Sequence, residues 1–97
     1  MAEYDATIMI LKQDRDGKKV KVSQSLTKKD FPISYEGRMD FIRIDRDTRV
    51  RVESITYVAG DNSLEILASL PAPHYHAAVQ KARAKRSNPW LGWDVSD

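Results

Sequence analysis

The sequence predicts a small α+β domain, with about five mostly antiparallel strands in a curved or barrel-like sheet and one C-terminal helix packed on it. Two observations predict this class. Apolar and polar residues alternate along residues 40–70, which is the period-two pattern of strands with one buried face. Residues 71–86 are instead rich in alanine, with apolar residues at helical spacing. A chain of 97 residues is expected to form a single domain, over residues 1–97.

Two strands are expected before the central run, at residues 4–12 and 19–25. The apolar segment Ile8–Leu11 is typical of a central strand that is covered on both faces. A three-residue loop, Arg15–Gly17, with its glycine in the left-handed conformation would join the two strands as a hairpin. Lysines alternate with valines in the second strand, so this strand is expected to lie half exposed near an edge of the sheet.

Residues 26–39 form the longest stretch without a clear period. Aromatic residues beside basic groups are typical of surfaces that bind a protein or stack on nucleic-acid bases. The candidate partner-binding residues of this stretch are therefore Phe31 and Tyr35. The candidate phosphate-binding residues are Lys28, Lys29 and Arg38. In the alternative interpretation, the aromatic side chains and Ile33 alternate inward as a short strand and belong to the core.

Three more strands are expected at residues 40–45, 48–58 and 64–70. Residues that oppose each other across an antiparallel pair share a face, so Ile42 should lie opposite Val50. That pairing requires a loop with an odd number of residues, because an even loop would turn one strand inside out.

The apolar phase changes once within this run. After Glu53 the apolar positions move from even to odd residue numbers, which predicts a β-bulge near Glu53–Ser54. Residues 60–63 are strong turn formers, and an even loop there should set Tyr57 opposite Ile66.

Charged residues alternate in sign along the same run. The acidic ones are Asp40, Asp45, Asp47 and Glu53, and the basic ones are Arg43, Arg46, Arg49 and Arg51. We interpret them as a solvent-facing ladder of ion pairs, each of which stabilises the fold by about 0–1 kcal/mol. On this interpretation they form neither a catalytic carboxylate pair nor a cation site.

The helix is expected over residues 71–86, and its last turns are basic. Cations at a helix C-terminus are favoured by the helix dipole and by the free carbonyl groups. Alternatively, they form a patch that contacts phosphates or an acidic partner. The candidate phosphate-binding residues of the helix are Lys81, Arg83, Lys85 and Arg86.

An aromatic tail follows at residues 87–97. Its candidate partner-binding residues are Trp90, Leu91 and Trp93. Tryptophan is enriched at interface hot spots, and a short tail stays disordered unless it docks. The tryptophans therefore either fold back on their own sheet or insert into a partner, and the two interpretations are compatible. If they insert into a partner, truncation after Asn88 should leave the sheet folded.

The composition and the motifs limit the kinds of functional site that the sequence predicts. There is no cysteine, no apolar run long enough to cross a membrane and no basic segment that would begin a signal peptide. No catalytic or phosphate-binding motif is present, and His74 and His76 would point to nearly opposite sides of a helix. We therefore expect a cytoplasmic protein that is not an enzyme and has no metal, cofactor, small-molecule ligand or membrane contact.

The sequence predicts a non-catalytic binding module that acts through protein–protein contacts, as an adaptor, assembly factor or inhibitor. The expected contact surface is the tryptophan-containing tail together with the basic helix. The partner is another protein or a second copy of the chain. The alternative is a nucleic-acid-binding protein that uses the basic helix and residues 28–38, since the net charge of +2 is concentrated towards the C-terminus.

Overall fold

The computed structural model of the protein describes residues 2–13, 20–84 and 88–96, and of residues 2, 20–23 and 88 only the backbone. The strands are β1 (Ala2–Gln13), β2 (Val20–Tyr35), β3 (Phe41–Arg43), β4 (Arg49–Val58), β5 (Ser63–Pro71) and β6 (Asp94–Ser96). The helix α1 (Ala72–Ala84) follows β5, and a single 3-10 turn (Asn88–Trp90) precedes β6. None of the described helices is long and apolar enough to cross a membrane.

The strands form one sheet in the order β3-β4-β5-β1-β2-β6. All neighbouring strands are antiparallel except β1 and β5, which are parallel. The predicted α+β class, with a mostly antiparallel sheet and one C-terminal helix, is confirmed. The order is linear, so the described strands form an open sheet with β3 and β6 at its edges. The sixth strand was not predicted, because it comes from the tail, which pairs with β2.

One face of the sheet is buried under the helix, and we call it the inner face. Its centre is formed by Ile8 and Ile10 of β1 and by Leu64 and Ile66 of β5, all of them buried. The helix covers them with an apolar stripe of buried residues, which are Tyr75, Ala78, Val79 and Ala82. The predicted stripe at helical spacing is therefore the surface that packs on the sheet.

The predicted pairing of the central run is confirmed, with one correction. Ile42 lies opposite Val50, and a β-bulge interrupts the register between Val52 and Ser54. The next loop is even, as expected, but Tyr57 pairs with Leu64 and not with Ile66. The turn is built from residues 59–62, with Asn62 in the left-handed conformation at φ 50°. The partner of Tyr57 therefore lies two residues earlier on β5 than predicted.

Residues 26–35 belong to β2, which continues to Tyr35 instead of ending at residue 25. A register shift lies between the positions opposite Ala6 and Ile8, and Asp30 has a positive φ of 56° there. This bulge changes which residue numbers face inward, and it hid the strand period from sequence analysis. Phe31 and Tyr35 are half-buried and pack against the core, so the alternative interpretation of this stretch is confirmed.

Two predictions lie outside the described residues. The first is the loop Arg15–Gly17, and the second is the end of the basic helix at Lys85 and Arg86. The described part of the helix, Ala72–Ala84, falls within the predicted range of residues 71–86.

Candidate functional site

The tail tryptophans are part of the hydrophobic core. Trp90 is fully buried and Trp93 is 2% exposed, and their rings lie 5.7 Å apart between centres. The Trp93 indole N–H donates a hydrogen bond of 2.9 Å to the carbonyl oxygen of Pro89, which fixes the turn between the two rings. Of the two interpretations of the tail, the structure therefore shows the first: the tryptophans dock on their own chain.

A partly buried polar contact anchors Trp90. Its indole N–H donates a 2.6 Å hydrogen bond to Oδ2 of Asp45, which lies just after the edge strand β3. The same oxygen accepts a 3.1 Å hydrogen bond from Nζ of Lys81 on the helix. The other carboxylate oxygen accepts the backbone N–H of Asp47 at 2.9 Å. This cluster ties one edge of the sheet, the helix and the tail together.

The environment of Asp45 favours its charged form. Burial alone would raise the pKa of this carboxyl, but the hydrogen bonds from Trp90 and Lys81, with those from Asp47 and Thr48, outweigh it. The net effect lowers the pKa from 3.8 to about 2. The Asp45 side chain is 17% exposed and that of Lys81 is 37% exposed, so the ion pair is a partly buried structural contact.

Leu91 is the one predicted partner-binding residue of the tail that remains at the surface, with 44% of its area exposed. Lys28 donates a 3.0 Å hydrogen bond to its carbonyl oxygen. The next residue, Gly92, has a φ of +83°, a conformation that disfavours other residues. A small fixed turn therefore presents Leu91, whereas the tryptophans on either side are hidden.

The basic residues that the sequence predicts for phosphate binding have separate contacts in the part of the chain that the structure describes. Lys28 is bound to the tail and lies 5.6 Å from the Phe31 ring, and Arg38 pairs with Asp40 at 3.4 Å. Lys29 is exposed on β2. On the helix, Lys81 is engaged by Asp45, and Arg83 also has an interaction within the chain.

The predicted ladder of ion pairs on the central hairpin is wrong. Arg43, Arg49 and Arg51 are exposed, and no carboxylate of the described residues pairs with them. Arg43 lies directly opposite Arg49 in the β3–β4 register. The acidic residues of the run have other partners: Asp45 and Asp47 contact Lys81 of the helix, and Glu53 accepts a hydrogen bond from Ser69 at 2.6 Å. Asp47 nevertheless lines the same groove as Arg49 and Arg51.

These arginines lie around an exposed aromatic ring. Phe41 pairs with Arg51 in the register, and the Arg49 guanidinium carbon lies 4.2 Å from the centre of its ring. The ring is 48% exposed. We name Phe41, Arg43, Arg49 and Arg51 the arginine corner. Guanidinium stacked on an aromatic ring is a common feature of binding surfaces, because both groups are large and neither is strongly hydrated on its faces.

A groove of about 420 Å³ adjoins the arginine corner. Its lining includes Arg49, Arg51, Gln13 and His74, the last of these at the start of the helix. His76, two residues farther along the same helix, is exposed. Within the described ranges, no group of three or more histidine, cysteine or acidic residues is arranged to hold a metal ion.

The arginine corner lies on the face of the sheet that the helix leaves uncovered, which we call the outer face. Arg51 shares this face with Ser69, which it opposes on β5. Leu67 and Glu65 lie on the same face of β5, towards the start of that strand. Asp5 on β1 is level with Ser63, and Asp61 is exposed in the adjacent turn. We name Asp5, Asp61 and Glu65 the acidic end, because they lie at the opposite end of the strands from the arginine corner.

Comparison with known proteins does not identify the chain. No model of a known protein family matches it, and neither a curated protein nor a solved structure shows significant similarity.

Proposed function

We propose that the chain is a non-catalytic binding module whose contact surface is the arginine corner and whose partner is an acidic surface of a protein. One observation supports this above all others: Arg43 and Arg49 oppose each other directly, with no carboxylate of the described chain between them. Like charges in this position destabilise a hairpin, by roughly 0.2–1 kcal/mol. Residues that lower the stability of the free chain are typical of surfaces retained for binding.

The composition of the corner also fits a protein partner. Arginine and aromatic residues are enriched in protein interfaces, whereas lysine is depleted. The corner contains three arginines and one phenylalanine, and the Arg49–Phe41 stack holds two of these side chains in place before a partner arrives. Side chains that are already ordered lose less conformational entropy on binding.

Nucleic acid is the second candidate, and the stacked Arg49–Phe41 pair beside the groove favours it. The rest of the outer face disfavours it. Asp94 of the edge strand β6 lies on this face opposite Thr27, and the acidic end lies on β5 and β1 at the opposite end of the strands. A long polyanion that followed the sheet from the arginine corner would meet these carboxylates, whereas an acidic protein surface of limited size would not.

Binding to two defined probes tests the proposal. One probe is a labelled peptide of alternating glutamate and valine, and the other is a labelled single-stranded oligonucleotide. We expect the peptide to bind the wild type, and R49Q/R51Q to weaken this binding about tenfold, which corresponds to the loss of two partly exposed charge contacts. The control K29Q/R38Q removes the same charge from another surface and should leave the affinity unchanged.

One result would favour the second candidate, and another would contradict the proposed contact surface. Oligonucleotide binding that is tighter than peptide binding, and that falls steeply with salt, would establish the second candidate. Equal peptide affinity for the wild type and R49Q/R51Q would show that the corner is not the contact surface.

A further inference from the structure

We infer that the acidic surface is supplied by a second copy of this chain. Two copies would pack with their outer faces together, related by a two-fold axis that lies between the sheets and runs across the strands. This inference rests on the proposed function, because it names the partner of the arginine corner. Two-fold dimers with self-complementary interfaces are the commonest form of protein self-association.

At the centre of the outer face two apolar side chains are only half-buried, whereas Leu11, Ser25 and Ser69 of the same face are buried. Met9 of β1 lies beside Leu67 of β5 in the register, and both side chains are half-buried around a shallow depression of about 380 Å³. These two strands are the parallel pair of the sheet. The helix packs on the inner face of this pair. A second sheet packed on the outer face would bury the remaining exposed area of Met9 and Leu67.

The arginine corner and the acidic end are complementary in charge under the proposed rotation, whereas Asp94, which is level with Met9 and Thr27, lies near its own counterpart. The arginine corner is level with Ser69 on β5, and the acidic end begins at Glu65 and extends past Ser63. The distance from Ser69 to Ser63 along the strand is about 20 Å, at 3.3 Å per residue. A two-fold axis across the strands exchanges the two ends of each strand but keeps the strand order, so Arg49 and Arg51 of β4 lie one strand away from Glu65 of β5 in the other copy. That offset is about 5 Å, which an arginine side chain spans. Met9 and Leu67 lie midway and meet their own counterparts.

The size of the molecule is compatible with a dimer interface of standard area. The molecule measures 34, 32 and 23 Å along its principal axes. A standard interface buries about 800 Å² on each partner, which is an area of roughly 30 by 27 Å. The opposed Arg43 and Arg49 would also gain carboxylate partners, which removes the electrostatic penalty of the single chain.

A charge-swap experiment tests the inference. R49E/R51E makes both ends of the outer face acidic, and D61K/E65K makes both ends basic. We expect the wild type to sediment as a dimer at concentrations where each variant alone sediments as a monomer. An equimolar mixture of the two variants should restore a dimer that contains one copy of each. Circular dichroism of each variant checks that it is folded, and L67K, which places a charge at the apolar centre, should remain monomeric in every mixture.

The remaining outcomes are decisive as well. A wild type that stays monomeric at all accessible concentrations would overturn the inference, and so would a mixture that stays monomeric. Large open assemblies would contradict the two-fold arrangement, since only a head-to-tail contact extends indefinitely. If the chain is monomeric but still binds the glutamate–valine peptide through Arg49 and Arg51, the proposed function stands and only the identity of the partner is wrong.

Discussion

The tail and the β3–β4 hairpin show opposite relations between residue type and position. The tail contains two tryptophans, which are typical interface residues, yet both are buried in their own chain. The hairpin contains charged residues of both signs, which usually neutralise one another in solvent, yet its arginines lie together without acidic partners. Residue type predicts what a side chain is able to bind, and only the face on which it lies decides whether a partner has access to it.

The largest effect is expected from the tail. Truncation after Asn88 removes both buried tryptophans and β6, so the chain should lose its cooperative fold, contrary to the expectation for a tail that docks on a partner. Replacing Trp90 alone by alanine should lower the free energy of unfolding by about 3–5 kcal/mol, because it leaves a large cavity. Urea denaturation followed by circular dichroism measures both effects.

The neighbouring Leu91 provides the matched control. It is exposed, and L91A should change the free energy of unfolding by less than about 0.5 kcal/mol. A truncated chain that still unfolds cooperatively would show that the tryptophans are not part of the core, and the comparison between the tail and the hairpin would then fail.

A smaller effect is expected from Asp45 and depends on pH. Its carboxyl has a pKa of about 2 in the folded chain against 3.8 when unfolded. The unfolded chain therefore binds the proton more readily in this range, so the stability that Asp45 contributes is present above about pH 4 and is lost as the pH falls to 2. The loss amounts to about 2 kcal/mol, and a series of urea denaturations from pH 5 to 2 measures it.

Substitution isolates this contribution from that of the other carboxylates. D45N should be less stable than the wild type at neutral pH and should lose less stability on acidification. D47N is the control, because Asp47 is 82% exposed and lies 4.0 Å from Lys81, and this variant should keep the wild-type pH dependence. Equal slopes for D45N and the wild type would show that Asp45 is not the group that titrates.

The smallest effect is expected at the arginine corner, and it has the opposite sign. R43T removes the repulsion between Arg43 and Arg49 and introduces a residue that favours strands, so it should raise the free energy of unfolding by a few tenths of a kcal/mol to about 1 kcal/mol. The measurement belongs at a concentration where the chain is monomeric. R38T, outside the sheet, should not be stabilised, and a loss of stability in R43T would mean that Arg43 serves the fold itself.

Most of the fold was predictable because strand and helix periods depend on local sequence. The pairing of Ile42 with Val50 and the bulge near Glu53 followed from counting apolar positions. The bulge at Asp30 was not predictable in the same way, because a positive φ at aspartate leaves no signal in the pattern of apolar residues. The parallel pairing of β1 with β5 joins strands that are far apart in sequence, and no local pattern specifies it.

The arginine corner was present in the sequence and was missed. The same parity that sets Ile42 opposite Val50 also sets Arg43 opposite Arg49, since both pairs have the same sum of residue numbers. Charge alternation along the chain pairs these arginines with acidic residues of the intervening loop, whereas separation of the charges by face sets Arg43 opposite Arg49. The role of Asp45 was beyond sequence analysis, because its partners Lys81 and Trp90 come from distant elements.

The most direct test compares the tail and the hairpin in one sample. Backbone amide signals of the isotopically labelled wild type are followed by nuclear magnetic resonance while the protein is diluted. We expect the signals of Met9, Leu67 and Arg49 to shift with concentration, whereas those of Lys28 and Leu91 should stay constant. Shifts confined to Lys28 and Leu91 would contradict the proposed dimer, because they would place the contact surface at the turn of the tail and not on the outer face of the sheet.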